Sequence, residues 1–217
     1  MTMNYNSRRY AFLNTPIEID RHLRRIERYL SPREDDRILD VGSGRGFLTE
    51  RMRRIAPRTV GIDLNPQAVA NAVVPGIRLM DAQRLEFPDA SFDLVYSFHA
   101  IEHVPDVAAV FHEIDRVLRP GGKVLLVYPA EPIRGLYVVP TALVLFGNPW
   151  RARDLHLHRL TPRRLAAYAS GTTLEVTHSS LDLLITPQFI TVLRKPCGLA
   201  APTPRRRTRR PLAAQHA

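Results

Sequence analysis

Residues 37–48 read RILDVGSGRGFL: an apolar strand enters a turn with glycine at 42, 44 and 46, and a helix leaves it. Glycine is needed where the backbone turns tightly and a ligand must approach without a Cβ in the way. The helix that follows offers unpaired N–H groups at its start. A strand–turn–helix of this kind is how an α/β protein receives the polar end of a nucleoside cofactor at the carboxyl edge of its sheet. The dinucleotide fingerprint G-x-G-x-x-G would need a third glycine at position 47, where the chain has Phe47,. Asp40, inside the strand end, suits a ligand ammonium and would repel a pyrophosphate.

Downstream, the chain alternates strand and helix, which predicts a parallel sheet covered on both faces. Strands are expected near 37–42, 59–63, 76–80, 92–98, 122–128, 173–179 and 188–194, with helices near 46–56, 66–73, 106–118 and 161–170. Ahead of them, Thr15-Pro16-Ile17-Glu18 has the form of a helix start: a cap, a proline at the first position and a capping-box glutamate,. Ile19, Leu23, Ile26 and Leu30 then recur at helical spacing, so a helix over 16–30 is expected to pack on the fold or over the cofactor,. The second strand, TVGID, ends in Asp63, a carboxylate placed to accept from ribose hydroxyls,.

Asp81-Ala82 follows the third strand, and "SFDLV" (91–95) and "LRPGG" (118–122) come after it. In this order and spacing, residues 37–128 resemble the class I S-adenosylmethionine-dependent methyltransferases, and most closely the small bacterial group that includes the ubiquinone and menaquinone biosynthesis enzymes. The resemblance implies a Rossmann-like, doubly wound, seven-stranded, mostly parallel sheet of order 3-2-1-4-5-7-6. It implies S-adenosyl-L-methionine as cofactor, with Asp40, Gly42, Ser43, Gly44, Gly46, Asp63, Leu64, Asp81, Ala82 and Phe98 around it. In that scheme the glycines line the methionine end and Asp40 positions its amino group. Asp63 takes the ribose hydroxyls, Leu64 packs on the adenine, and Asp81 and the Ala82 N–H meet the adenine edge.

Methyl transfer is an in-line displacement at carbon, so the protein must align the acceptor and, where needed, remove its proton. His99 and His103 follow the fourth strand, whose carboxyl end faces the cofactor in this fold, and they are the candidate bases,. Glu102-His103 resembles the "EH" pair of the same enzyme group, where packing is the rival role. Residues 130–160 form an insertion with an apolar run around Tyr137, which reads as a lid over an apolar acceptor, a membrane-surface element or a buried helix. His156 and His158 would share one face of a strand and are acceptor-side candidates with Tyr137,. Two histidines without a third ligand make a poor metal centre, and no metal is expected.

One cysteine, Cys197, rules out a disulfide framework and fits a reducing compartment,. No run reaches the ~20 apolar residues needed to cross a bilayer, and the polar start carries no signal-peptide pattern. A single domain over 1–195 and a cytoplasmic place, with peripheral membrane contact as an option, are expected. Net charge is +10, but seven basic residues and no acidic one lie from Arg194 onward, so the basicity belongs mainly to a tail over 196–217 that reads as disordered,. A small-molecule acceptor is expected. The rivals are an RNA or protein acceptor engaged by the tail, and a cofactor-binding protein without catalysis. No Asn/Asp-Pro-Pro-Tyr-like motif follows the fourth strand, which argues against nucleic acid.

Overall fold

The computed structural model describes residues 15–130, 157–184 and 187–198. The tail and nearly all of the insertion, including Tyr137 and His156, lie outside the described residues. Helix α1 (Pro16–Leu30) begins on Thr15, whose hydroxyl accepts from the Glu18 N–H, and ends on Ser31 in the left-handed region. The order then runs β1 (Ile38–Val41), α2 (Phe47–Arg53), β2 (Thr59–Asp63), α3 (Pro66–Ala70), β3 (Arg78–Leu79) and β4 (Phe92–Phe98). A 3₁₀ turn (Ile101–His103) precedes α4 (Val107–Val117), β5 (Leu118–Pro129), α5 (Pro162–Ala169), β6 (Glu175–Asp182) and β7 (Gln188–Arg194).

The seven strands form one sheet of order β3-β2-β1-β4-β5-β7-β6. Pairing is parallel from β3 through β5, and β7 runs antiparallel to both β5 and β6. Alternation along β1 splits the core between two faces. Ile38, Leu94, Tyr96 and Leu125 pack under Ile26 and Leu30 of α1 and Met52 of α2. Leu39, Val41, Val95 and Val124 pack under Phe111 and Ile114 of α4 and Leu165 of α5. Helices therefore cover both faces, as a sheet buried on both sides requires.

Element boundaries depart from the sequence reading in identifiable places. Gly46, at φ 80°, caps α2 and does not belong to it. The expected helix over 106–118 stops at Val117, because Leu118 already pairs with Phe92 as the first residue of β5. That pairing is irregular between Phe92 and Leu94, where the strand absorbs Gly121 at φ 82°. β6 lies a few residues later than expected, over Glu175–Asp182, while β7 falls at Gln188–Arg194 as expected.

The antiparallel β7 has a consequence for the site. Its first residue, Gln188, pairs with Pro129 at the end of β5, so it arrives at the carboxyl edge of the sheet. The ends of β4, β5 and β6 and the start of β7 therefore meet on one edge, beside the glycine loop after β1.

Candidate functional site

The loop after β1 has no room for a side chain at Gly42 or Gly46. Gly42, Gly44 and Gly46 all have positive φ, at 78°, 56° and 80°. A Cβ on Gly42 would stand 2.2 Å from the Ala100 Cβ, and one on Gly46 would stand 2.8 Å from Ile77 Cδ1. The Gly42 and Ser43 N–H groups both donate to the Ile62 carbonyl, which ties the loop to β2. Asp63 completes the tie: its Oδ2 accepts from the Gly44 N–H at 2.7 Å and its Oδ1 from the Asn65 N–H at 2.8 Å. Burial pushes the Asp63 carboxyl above its usual range, and the two backbone N–H groups only partly offset this. Each oxygen still has a lone pair for a hydroxyl ligand. The Ser43 hydroxyl is buried with no hydrogen-bond partner among the described residues.

Asp40 lies deeper than the sequence suggested. It is 3% exposed and accepts from the Thr49 hydroxyl of α2 at 2.6 Å. The Tyr96 hydroxyl is buried near it, outside hydrogen-bonding geometry. Burial pushes the Asp40 carboxyl up to about 7, against the pull of Thr49, and the charge of Asp63 adds to the push. Along the other side of the crevice, Leu64 is 61% exposed beside Asp63, available to a flat ligand. Asp81 accepts from the Gln83 N–H and side-chain amide after β3, and Ala82 packs against the core.

Beyond the end of β4 stands a polar wall. Phe98 packs against the His22 ring of α1, 4.3 Å between centroids. His99 adopts φ 52°, a conformation that costs a non-glycine residue of order 1–2 kcal/mol,, and its N–H donates to the Val127 carbonyl. Its side chain is 33% exposed. Both ring nitrogens face partners. The Gln188 amide, oriented by its network, accepts on oxygen from Arg25 (2.8 Å) and Arg21 (2.9 Å) and donates from nitrogen to His99 Nε2 (3.1 Å). His99 Nδ1 faces Glu102 Oε1 at 3.7 Å.

Arg21 and Arg25 are in turn paired with Asp182 at the end of β6, and Arg21 also with Glu18. Burial pushes the Asp182 carboxyl up, but the Leu184 N–H and the two guanidiniums outweigh it and hold it at about 2. His22 is driven down to about 2, first by burial and then by His99 and the two arginines, so it is neutral. Its Nδ1 faces an Arg25 N–H at 3.2 Å. Glu102 is fully buried and its side-chain oxygens have no hydrogen-bond partner among the described residues. Burial pushes it up, yet His99 and His103 together hold it below the usual carboxylate range.

His103 stands with Nε2 4.0 Å from Glu102. His158 lies away from the crevice wall as a loop clamp: its Nε2 faces the Val104 and Pro105 carbonyls, and its N–H donates to the Glu102 carbonyl. The structure thus brings His99 and His103 together on Glu102, just past Phe98 and on either side of Ala100, which abuts Gly42, and gives His158 a tethering contact. Arg21, His22, Arg25, Asp182 and Gln188 were not singled out in the sequence. One signal was present: His22 falls three residues after Ile19 and four before Ile26, inside the apolar stripe of α1,.

The strand order and a glycine loop braced on the acid at the tip of β2 define a nucleoside-cofactor domain of Rossmann-like methyltransferase type. Residues 39–126 match the model of the methyltransferase domain family. The ubiquinone biosynthesis O-methyltransferase of Xanthomonas oryzae pv. oryzae is 37% identical over 110 residues, 45% of this chain and 46% of that protein. The demethylmenaquinone methyltransferase of Chlorobaculum tepidum is 30% identical over 151 residues, 64% of this chain and 62% of that protein. The chain thus spans between about half and three fifths of the length of these curated relatives. Among solved structures, a chain from the complex of the Haloferax volcanii Trm112 methyltransferase activator with the putative methyltransferase superposes with a TM-score of 0.66. It is 21% identical, and the match covers 82% of this chain and 91% of that one. Residues 39–126 thus carry the match to the methyltransferase domain family, whose class I members use S-adenosyl-L-methionine.

The residues fit that cofactor. Gly42 and Gly46 leave no space for a Cβ, the Ser43 hydroxyl is unpartnered among the described residues, and Asp63 keeps acceptor capacity beside the exposed Leu64. Among the described residues no group of three metal-ligating side chains occurs, and no helix is long and apolar enough to cross a membrane.

Proposed function

We propose that this protein transfers a methyl group from S-adenosyl-L-methionine to a small, uncharged, largely apolar acceptor such as a quinol or another aromatic hydroxyl compound. The observation that carries the reading is the wall past β4. Phe98 and two imidazoles, His22 and His99, cluster at the end of β4, while the cations packed with them, Arg21 and Arg25, are already matched by Asp182 and Glu18. A charged acceptor would find no spare counter-charge there, whereas a flat apolar one finds aromatic faces. The relatives named for quinone biosynthesis support the same acceptor class.

When bound, the sulfonium cofactor supplies an already activated methyl group. The protein's part is alignment: Gly42, Gly44 and Gly46 let the ligand approach the backbone, Asp63 engages hydroxyls, and Phe98 and His22 confine the acceptor. With His99 Nε2 held by Gln188, proton removal by this ring requires the amide to let go first.

The test is transfer of labelled methyl from the cofactor to a panel of hydroquinones, catechols, naphthoquinols and charged phenolic acids. Transfer to the uncharged aromatic members is expected. Transfer confined to RNA, to protein or to charged members would overturn the reading.

A further inference from the structure

A trough on the other side of α1 is not used by the proposed reaction. Its floor is Ile190 and Val192 of β7, one wall is Arg25, Arg28 and Tyr29 of α1, and the other is β6. Two cavities meet along it, of about 580 and 380 Å³, and share Arg28 and Tyr29. Their characters differ. The smaller is lined by Arg28, Lys123, His178 and Arg194 and by no acidic residue among those described. The larger is lined by Leu181, Leu183 and Leu184, which are 42%, 60% and 85% exposed, and its one carboxylate, Asp182, is committed to Arg21 and Arg25.

The cations at the basic end have little of their own to neutralise them. Arg28 lies over the Tyr29 ring, 5.5 Å from its centroid, and enters no ion pair among the described residues. Among the described residues Lys123 reaches only the Leu30 carbonyl, at 3.4 Å. Glu175 stands opposite Arg194 in the β6–β7 register without pairing with it. From Thr177 to Asp182 the trough follows β6 for about 16 Å.

We propose that this trough is a binding site for an anionic amphiphile, a phosphate-headed molecule with one aliphatic chain. The phosphate lies among Arg28, Lys123 and Arg194, whose donors suit its oxygens, and the chain runs over Ile190 toward Leu181 and Leu184, where it covers apolar surface otherwise left in water. The site stands apart from the glycine loop and does not depend on which acceptor is methylated.

The test is calorimetry on the full chain with dodecyl phosphate below its micelle concentration. Inorganic phosphate, dodecyl maltoside and phosphatidylglycerol vesicles serve as comparison arms. One-to-one binding of dodecyl phosphate is expected. The R28Q/R194Q double variant should weaken it at least tenfold, and L181Q/L184Q should weaken it at least threefold. These positions are at the surface, so an unchanged melting temperature checks that the variants are folded; R28Q and L184Q alone, with smaller losses, serve if a pair is not. Equal binding of inorganic phosphate would overturn the amphiphile and leave only an anion site. Equal binding of dodecyl maltoside would overturn the role of the cations. Binding to vesicles alone, or binding lost on R205Q/R206Q/R207Q and not on R28Q/R194Q, would replace the trough with a membrane surface or with the tail.

Discussion

Asp40 allows the buried electrostatics of the site to be tested directly. Its carboxyl ordinarily titrates at 3.8 and is raised by burial to about 7. On that basis ionising it in the folded state costs about 4 kcal/mol, an upper bound. The sign follows from linkage. The folded protein keeps the proton up to about pH 7 while the unfolded chain loses it near 3.8, so this contribution to stability is whole below pH 3.8 and is lost as pH rises to 7. His22 acts oppositely: held at about 2 when folded and 6.5 when unfolded, it adds stability as pH rises to 6.5. The wild-type curve mixes the two, so the informative quantity is the difference between Asp40→Asn and wild type. An asparagine can still accept from Thr49, and its amide can donate to the Tyr96 hydroxyl, which is now unpartnered. Urea unfolding at pH 5, 6, 7 and 8 should show the variant gaining steadily on wild type up to pH 7 and levelling above it. At pH 8 it should be the more stable by about 1–3 kcal/mol. Affinity for the demethylated cofactor should stay within about threefold. A pH-independent difference, or a wild type more stable at pH 8, would refute the buried-charge argument. A tenfold loss of cofactor affinity would instead return Asp40 to the role of holding the ligand ammonium.

Other outcomes can be checked with the same protein. Gly42→Ala places a Cβ against Ala100 at positive φ, so it should lose at least about 1–2 kcal/mol of stability and fail to bind the demethylated cofactor in calorimetry. Asp63→Ala strips acceptors from the Gly44 and Asn65 N–H groups and should cost about 1–3 kcal/mol, with cofactor affinity falling at least tenfold. His99→Asn should lower kcat by less than the hundredfold expected of a lost general base, because Nε2 is committed to Gln188; a pH–rate limb that vanishes in the variant would reverse that conclusion. Asp182, held at about 2, contributes stability that is whole above 3.8 and lost as pH falls toward 2. Acid unfolding of Asp182→Asn should therefore be shallower than that of wild type.

The fold was readable because its signals are local. A glycine loop between strand and helix, a capped Thr15-Pro16 start and apolar strands at regular spacing each specify a short piece of chain, and the family resemblance supplied the strand order. Boundaries failed where tertiary pairing overruled the local signal, as at Leu118, which helical periodicity claimed and Phe92 captured. The grouping of most cofactor-side candidates was legible for the same reason as the fold, since they fall on neighbouring elements within residues 40–82, with Phe98 beyond them. The wall past β4 was not. Arg25 and Asp182 are 157 residues apart, and His99 and Gln188 are 89 apart. Only the antiparallel return of β7 makes them neighbours. Asp40 shows a subtler limit: its residue type suited a ligand, and only the positions of Thr49 and Tyr96 show that it faces inward.

The placement of β7 between β5 and β6 also bears on biogenesis. β5 is a long, largely buried strand whose outer partner, β7, follows it in the chain only after α5 and β6. As the nascent chain emerges, the cofactor loop and β1–β4 are available early, but one flank of β5 remains an open, sticky edge until Arg194 has left the ribosome. Maturation of the sheet is therefore gated by the β6–β7 hairpin, and chaperone dependence should concentrate in the interval between translation of Pro129 and of Arg194.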